Sequence, residues 1–239
     1  MLTADVDGIV ALAETSSERG QCLECREQVV AKVGPVVIPH WAHLPDSTSD
    51  CPRKTGMGHW HETWQLRAYR HGCDIEKSIL DGQHRADIVT PKGLVIELQS
   101  EPLDPIQATR REQFYAANTP HGMIWLIRLP ESVKLGEHGY LDGPVHPRLG
   151  DLDARVYVHD TETDEIHSIT CTTHMNENTG RLRVSAREQS YWPATPLGLD
   201  PQGSGPDEFL RWAQSWTSDH LPPEGRWRRG VWHSEGRRK

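Results

Sequence analysis

A capped helix between two apolar strands is the feature of this sequence that most limits its folds. Asp104 is suited to be the N-cap, with Pro105 at the first helical position and Gln107 at the third. We predict that this helix runs to about Asn118. The continuous apolar run "GMIWLIRL" at 122–129 then predicts a central strand that is buried on both faces. A helix that connects strands in this way is typical of a crossover in an α/β sheet.

Regular structure is also predicted upstream of this helix. Residues 59–71 contain strong helix formers without Gly or Pro, and Gly72 is placed to end that helix. Three strands follow, separated by turns, and they are "DIEKSIL" at 74–80, "HRADIVT" at 84–90 and "LVIELQS" at 94–100. The order helix, three strands, helix and strand predicts an α/β sandwich with a mixed sheet.

Two acids interrupt the apolar pattern of the second and third strands. Asp87 and Glu97 lie on either side of a short turn that brings them near each other, and Gln99 shares a face with Glu97. Two adjacent carboxylates repel and are costly to bury, and a divalent cation removes that cost. We therefore predict that Asp87 and Glu97 bind Mg²⁺ (or Mn²⁺), which helps to ionise a bound water. The alternative is a solvent-facing pair on an edge strand, with Arg85 as the counter-charge.

The same stretches resemble a known family of nucleases. The matching segments are "HRADI" at 84–88, "VIELQS" at 95–100, and the helix pairs Trp60-His61 and Trp64-Gln65. They are similar to the competence protein CoiA-like nucleases of the PD-(D/E)XK superfamily. The resemblance implies a metal-dependent DNA endonuclease, which is a hydrolase with a restriction-endonuclease-like mixed sheet and flanking helices. It also implies that Asp87 and Glu97 hold the catalytic metal.

The sequence departs from this family at two positions. Gln99 stands where the wider superfamily has Lys, and Gln can orient a group by hydrogen bonds but cannot ionise. The family commonly has Glu three residues before the helix His, and that position is Gly58 here. Glu62 or His59 could do the work of that Glu. The candidate catalytic residues are therefore His61, Glu62, Asp87, Glu97 and Gln99.

Both predicted helices also have simpler interpretations. Trp60 and Trp64 are spaced by four residues, which is typical of core or interface packing, and His61 could be a hydrogen-bonded helix residue. Arg110 and Arg111 on the second helix could contact a DNA phosphate. We favour for them an ordinary charged helix face that includes the neighbouring Glu112.

The N-terminal zone carries soft metal ligands. "CLEC" at 22–25 precedes "HWAH" at 40–43 in the spacing Cys-x2-Cys-x14-His-x2-His, which predicts a tetrahedral zinc site. The predicted ligands are Cys22, Cys25, His40 and His43. Cys51 is a competing fourth ligand that could displace His40. A redox pair, or two unrelated surface motifs, are the alternatives, although the CoiA-like family resembles this zone too.

Charge and cysteine usage limit the cellular setting. The net charge of -8 argues against broad, non-specific coating of polyanions. Residues 224–239 nevertheless hold six Lys or Arg against two Glu, so this tail either contacts nucleic acid or is a solvated terminus. Five unevenly spread cysteines, no membrane-length apolar run and no basic leader predict a cytoplasmic protein without membrane contact.

We divide the chain into three zones. Residues 1–55 form the zinc-ribbon-like module, 56–135 the nuclease core, and 136–239 a C-terminal extension. Within that extension we predict strands in 154–170 and 181–188, a Pro/Gly linker, and a helix at 207–221. The predicted function is metal-dependent DNA cleavage in DNA processing, recombination, phage biology or defence, with DNA and recombination or phage-encoded proteins as partners. The alternatives are a non-catalytic DNA-binding accessory that keeps the fold, and a zinc-finger-type interaction protein.

Overall fold

The computed structural model forms two compact units, Met1–Arg67 and Ala68–Lys239. The described residues are 1–36, 38–48, 50–51, 58–80, 82–101, 104–135, 141–142, 155–176, 181–188, 205–216, 225–228 and 231–234. The predicted Pro/Gly linker up to residue 204 and half of the basic tail lie outside these ranges. Within them, every helix is too short or too polar to traverse a lipid bilayer.

The N-terminal unit is built on a five-stranded antiparallel sheet. Its strands are β1 Thr3–Val6, β2 Ile9–Leu12, β3 Arg19–Gln21, β4 Gln28–Lys32 and β5 His40–His43, in the spatial order β2-β1-β3-β4-β5. Trp41 fills the core of this sheet at 1% exposure, and its indole N–H donates to the Ala11 carbonyl at 3.1 Å. Cys22 and Cys51 belong to the same core cluster. This core cluster therefore has few large aliphatic side chains and is built around Trp41 and the two cysteines.

Helix α1, His59–Arg70, spans the division between the two units. It confirms the helix predicted at 59–71, and Gly72 follows with a φ of +80°, as expected of a residue that ends a helix. The Gly72 N–H donates to the Tyr69 carbonyl at 2.9 Å. The helix buries Trp60 and Trp64, whose rings meet edge to face at 6.4 Å.

The second unit contains a seven-stranded mixed sheet in the order β14-β13-β12-β9-β8-β7-β6. Its strands are β6 Asp74–Ile79, β7 His84–Val89, β8 Val95–Gln99, β9 Met123–Arg128, β12 Arg155–Asp160, β13 Glu165–Asn176 and β14 Arg181–Glu188. The three central strands β8, β9 and β12 are parallel, and the outer pairs are antiparallel. Two short hairpins complete the described strands, namely β10 Lys134–Leu135 with β11 Leu141–Asp142, and β15 Gly225–Arg228 with β16 Val231–Ser234.

Helices cover both faces of the central strands. Helix α2, Pro105–Asn118, connects β8 to β9, and Asp104 caps it by accepting from the N–H groups of Ile106 and Gln107. Helix α3, Pro206–Ser215, packs on the other face, where the Tyr157 ring contacts Phe209 and Trp212 at 5.1 and 5.2 Å. The predicted helix, crossover and mixed sheet are confirmed. Strands β12 to β14 continue this sheet, whereas our division placed them in an extension beyond residue 135.

A glycine fixes the turn between the two strands that carry the acids. Gly93 has a φ of +90°, and its N–H donates to the Thr90 carbonyl at 2.8 Å. A Cβ at this position would lie 2.8 Å from Cδ of Pro120, so no larger residue fits without movement. The turn therefore sets how β7 and β8 align.

Candidate functional site

The backbone ladder between β7 and β8 ends where the two acids begin. It covers two positions, which are Ile88 with Ile96 and Val89 with Val95. At the next pair of residues, side chains take the place of the backbone ladder. The Leu98 N–H donates to Asp87 Oδ2 at 2.9 Å. The Asp87 N–H donates to Glu97 Oε1 at 3.4 Å. The hairpin thus brings the predicted pair, Asp87 and Glu97, together on the second and third strands from the β6 edge of the sheet.

Helix α2 supplies two further groups to this place. Glu97 is 1% exposed, and Arg111 donates from Nη1 to Glu97 Oε2 at 2.7 Å. The Tyr115 hydroxyl donates to Glu97 Oε1 at 2.9 Å. Arg111 and Tyr115 are four residues apart, so one helix face carries both donors. A buried carboxylate needs such partners, because an unpaired one costs several kcal/mol.

The charges at this site are not balanced. Burial raises the pKa of Glu97 to about 7, and the charge of Asp87 adds to the rise. The effects of Arg111, of the Tyr115 hydroxyl and of the Asp87 N–H lower this pKa but do not outweigh burial. Burial, followed by the charge of Glu97, raises the pKa of Tyr115 well above its usual range, so its hydroxyl stays a donor.

The donor atoms suit a hard cation. Two carboxylates against one guanidinium leave a net negative charge when both acids are ionised. Oxygen ligands of this kind are those that Mg²⁺ takes from proteins. A carboxylate oxygen can also accept more than one bond, so the three donors to Glu97, which are Arg111, the Tyr115 hydroxyl and the Asp87 N–H, leave an acceptor position for a cation. Asp87, which is half-buried, is the more accessible ligand.

His84 stands beside these groups at the start of β7. Its ring lies 4.3 Å from the Phe114 ring and 6.0 Å from the Tyr115 ring, centroid to centroid. Partial burial, and then the charge of Arg111, lower the pKa of His84. This lowered pKa favours the neutral imidazole, and the sequence pattern assigned no role to His84.

The other predicted catalytic residues have different surroundings. Gln99 is half-buried, and its Nε2 donates to the Glu101 carbonyl at 2.6 Å, directly after β8 ends. His61 and Glu62 lie half-buried in the first two turns of α1, in the part of that helix that belongs to the N-terminal unit. Their catalytic roles stay predictions.

A second cluster lies wholly within the N-terminal unit. One ligand atom from each of Cys22, Cys25, His43 and Cys51 falls within 4.8 Å of the others. Cys22 Sγ and Cys51 Sγ are 3.8 Å apart, and Cys25 Sγ is 3.3 Å from His43 Nε2. A tetrahedral zinc site with Zn–S bonds of about 2.3 Å has S–S edges of roughly 3.8 Å, so the spacing fits zinc. These four residues could bind such a metal.

The fourth ligand differs from the one that the spacing favoured. His40 lies outside the cluster, and its Nδ1 is 2.8 Å from the Ile38 carbonyl. Residues 40 and 43 sit at opposite ends of β5, whereas Cys51 reaches the cluster from the segment after that strand. The Cys-x2-Cys-x14-His-x2-His set is therefore corrected to three cysteines and His43, with Cys51 in the place of His40.

A comparison with known protein families finds a match in this N-terminal region. Residues 10–52 match the model of the competence protein CoiA, N-terminal domain. The chain carries a CoiA-like N-terminal domain. All four residues of the Cys/His cluster lie inside the CoiA-like match, which ends before α1 and the central sheet. Comparison with curated proteins and with solved structures finds no match.

The sequence alone did not reveal Arg111 and Tyr115. We favoured a charged helix face of Arg110, Arg111 and Glu112; Arg110 is exposed as expected, but the interpretation is wrong for Arg111 and Glu112. Arg111 pairs with Glu97, and Glu112 is buried and accepts from the Trp125 indole N–H at 2.8 Å. The i, i+4 spacing of an Arg and a Tyr, directly after a strand with a buried acid, is the signal that could have identified the pair.

Proposed function

We propose that the chain is a metal-dependent DNA nuclease of the PD-(D/E)XK type in a competence-related or other DNA-processing role. The observation that carries the proposal is the side-by-side placement of Asp87 and Glu97, with Glu97 held at 1% exposure by Arg111 and Tyr115. Burying two acids next to each other lowers stability, so a functional reason for the pair is favoured over a structural one. The CoiA-like N-terminal domain agrees with this assignment.

In this proposal Asp87 and Glu97 would hold Mg²⁺. When bound, Mg²⁺ lowers the pKa of a water and stabilises charge on a phosphoryl oxygen. The Leu98 N–H fixes Asp87, and the Tyr115 hydroxyl fixes Glu97, so both carboxylates keep their orientation. In the reaction a water oxygen bonds to phosphorus, one P–O ester bond breaks, and the leaving oxygen takes up a proton.

His61, Glu62 and Gln99 are proposed as further catalytic residues on the family resemblance. We expect Gln99 to contribute least to catalysis, because its amide N–H already donates to the Glu101 carbonyl. A neutral amide orients a water or a phosphate but adds no charge. The metal and the surrounding cations would therefore supply most of the electrostatic stabilisation.

A non-catalytic DNA-binding accessory is the second candidate function. The 2.7 Å ion pair between Arg111 and Glu97 favours it, because Arg111 gives the acid a counter-charge without any metal. The two functions differ in one measurable respect, which is whether Asp87 and Glu97 are needed for breaking a phosphodiester bond.

Plasmid nicking tests the proposal. Wild-type protein with Mg²⁺ or Mn²⁺ should convert supercoiled plasmid to the nicked form, and Asp87→Asn and Glu97→Gln should each abolish this conversion. Glu101→Gln is the matched control, since Glu101 is exposed and close in sequence. Equal nicking by wild type and by both site variants would rule out the assignment, and DNA binding without nicking would favour the accessory protein.

A further inference from the structure

The contact of Arg111 with the acid pair has a role that the proposed function leaves open. Its guanidinium touches a carboxylate that is 1% exposed, yet the Arg111 side chain itself is 40% exposed. A guanidinium has five N–H donors, and the contact with Glu97 Oε2 occupies one Nη atom. The Arg111 side chain is therefore partly open to solvent, and the donors that Glu97 does not use could meet a second anion there.

A guanidinium and a divalent cation are rivals for the same carboxylate. Arg111 removes part of the repulsion between Glu97 and Asp87, as its lowering effect on the pKa of Glu97 indicates. A second positive group at Glu97 would repel Arg111 at short range, where charges interact strongly. Helix α2 fixes the Arg111 backbone, so the long side chain is the part that can move.

Tyr115 differs from Arg111 in this respect. Its hydroxyl is neutral and donates to the other oxygen, Glu97 Oε1, at 2.9 Å. No charge repulsion separates a neutral hydroxyl from a cation that binds the same carboxylate. Tyr115 can therefore stay in place and keep Glu97 oriented while the Arg111 contact is lost.

Resting on the proposed function, we propose that Arg111 is a counter-charge for Glu97 that is exchanged when a divalent cation binds. In the free protein it holds Glu97, on cation binding it releases that carboxylate, and the freed guanidinium then binds a DNA phosphate. Arg111 would be a positioning residue for Glu97 and a binding residue for the substrate. An Arg can bind a phosphate with two parallel N–H donors, which suits it to the second task.

Calorimetric titration of the full chain with Mn²⁺ separates this role from simple structural support. Arg111→Gln removes the charge but leaves an amide that can donate to Glu97. It should bind Mn²⁺ about tenfold more tightly than wild type, since a charge-assisted hydrogen bond no longer competes. Arg110→Gln, on the same helix but exposed, makes the same change in net charge and should bind Mn²⁺ like wild type. Glu97→Gln identifies the site, because it should lose this binding event.

For DNA, we expect Arg111→Gln to have the opposite effect, which is a weaker affinity. With Ca²⁺ in place of Mg²⁺, Arg111→Gln should bind a short duplex several-fold more weakly than Arg110→Gln, because one phosphate contact is lost. Arg111→Lys keeps the positive charge and should lie near wild type in Mn²⁺ affinity, which provides a test if Arg111→Gln does not fold.

Two results would overturn the inference. The first is an affinity of Arg111→Gln for Mn²⁺ that is no higher than that of Arg110→Gln. The second applies if Arg111→Gln does not fold, and it is an affinity of Arg111→Lys for Mn²⁺ far below that of wild type. Failure of the proposed function is a different result, since wild type would then bind Mn²⁺ at Glu97 without nicking plasmid.

Discussion

At the scale of single residues, the acid pair combines burial with incomplete charge compensation. Glu97 has three hydrogen-bond donors, yet burial still raises its pKa to about 7. A structural ion pair would be expected to have the opposite shift, because a close cation favours the charged form. Glu97 is therefore held in a position that costs stability in the absence of a further cation.

The raised pKa of Glu97 predicts how stability depends on pH. The unfolded chain releases this proton near 4.5 and the folded protein near 7, so between these values the folded state binds more protons. Stability should therefore be fully present below about pH 4.5 and fall as pH rises through 7, by up to about 3 kcal/mol. Glu97→Gln removes this dependence and should be more stable than wild type at pH 8 but not at pH 4.5.

Urea unfolding at the two pH values, without Mg²⁺, Mn²⁺ or chelator, measures this difference. Glu101→Gln changes the same charge at an exposed position and serves as the control. If the difference between Glu97→Gln and wild type is the same at both pH values, Glu97 does not titrate in the folded protein as we infer.

Gln99 provides a graded test of the site. Gln99→Ala should slow cleavage by about tenfold, since a neutral hydrogen bond contributes on the order of 0.5–1.5 kcal/mol. Gln99→Lys should be tolerated, because Lys has similar reach and adds a useful charge. Single-turnover cleavage at saturating Mg²⁺ compares both with Asp87→Asn. A Gln99→Ala variant as inactive as Asp87→Asn would mean that Gln99 does more than orient a group.

At the scale of elements, the turn between β7 and β8 determines where the acids meet. Gly93→Ala should destabilise the protein more than Gly82→Ala. Both glycines have φ near +90°, which costs about 1–2 kcal/mol for an L-residue. A Cβ at Gly82 meets open space, whereas one at Gly93 meets Pro120, and such overpacking adds about 1–3 kcal/mol. Chemical denaturation measures the loss of stability in both variants. Equal losses would show that Pro120 moves aside without a measurable cost.

Local signals in the sequence predicted the elements well. The Asp104-Pro105 cap, the glycine after α1 and the apolar run of β9 act over a few residues, so each identified its helix or strand. The i, i+4 spacing of Arg111 and Tyr115 shows that they share one helix face, but the contact of Arg111 with Glu97 also depends on how that helix lies on the sheet. For the same reason, β12 to β14 could be predicted as strands but not assigned to the central sheet.

The zinc site shows a similar limit. Cys22 and Cys25 are two ends of one tight turn, and their spacing alone identifies a candidate pair. His40 and Cys51 were both compatible with the fourth position, because a spacing rule does not say which side chain turns inward. The segment after β5 brings Cys51 into the cluster, and His40 stays outside it.

At the scale of the whole molecule, the Cys/His cluster should support the N-terminal unit and leave the second unit unaffected. We expect purified protein to contain about one zinc per chain, and Cys51→Ser to lose it and loosen residues 1–51. His40→Ala should retain the metal, because His40 lies outside the cluster. The second unit should keep its structure in both variants, since its core is its own.

Elemental analysis, combined with hydrogen exchange of the intact chain, measures zinc content and local stability together. Protein prepared without chelator that holds no zinc would remove the claim. Loss of zinc in His40→Ala together with retention in Cys51→Ser would restore the ligand set first predicted from the spacing.

The hairpin and α2 place the whole acid site within one continuous stretch, from His84 to Tyr115. Short loops close at little entropic cost, so contacts between near neighbours in sequence form early in folding. The site can therefore assemble while β12 to β14 are still unpaired, and pulse-labelling should find amides of β8 protected before those of β13. Two like charges would then be brought together in the folding nucleus, where Arg111 offsets their repulsion and so would speed folding as well as hold the finished site.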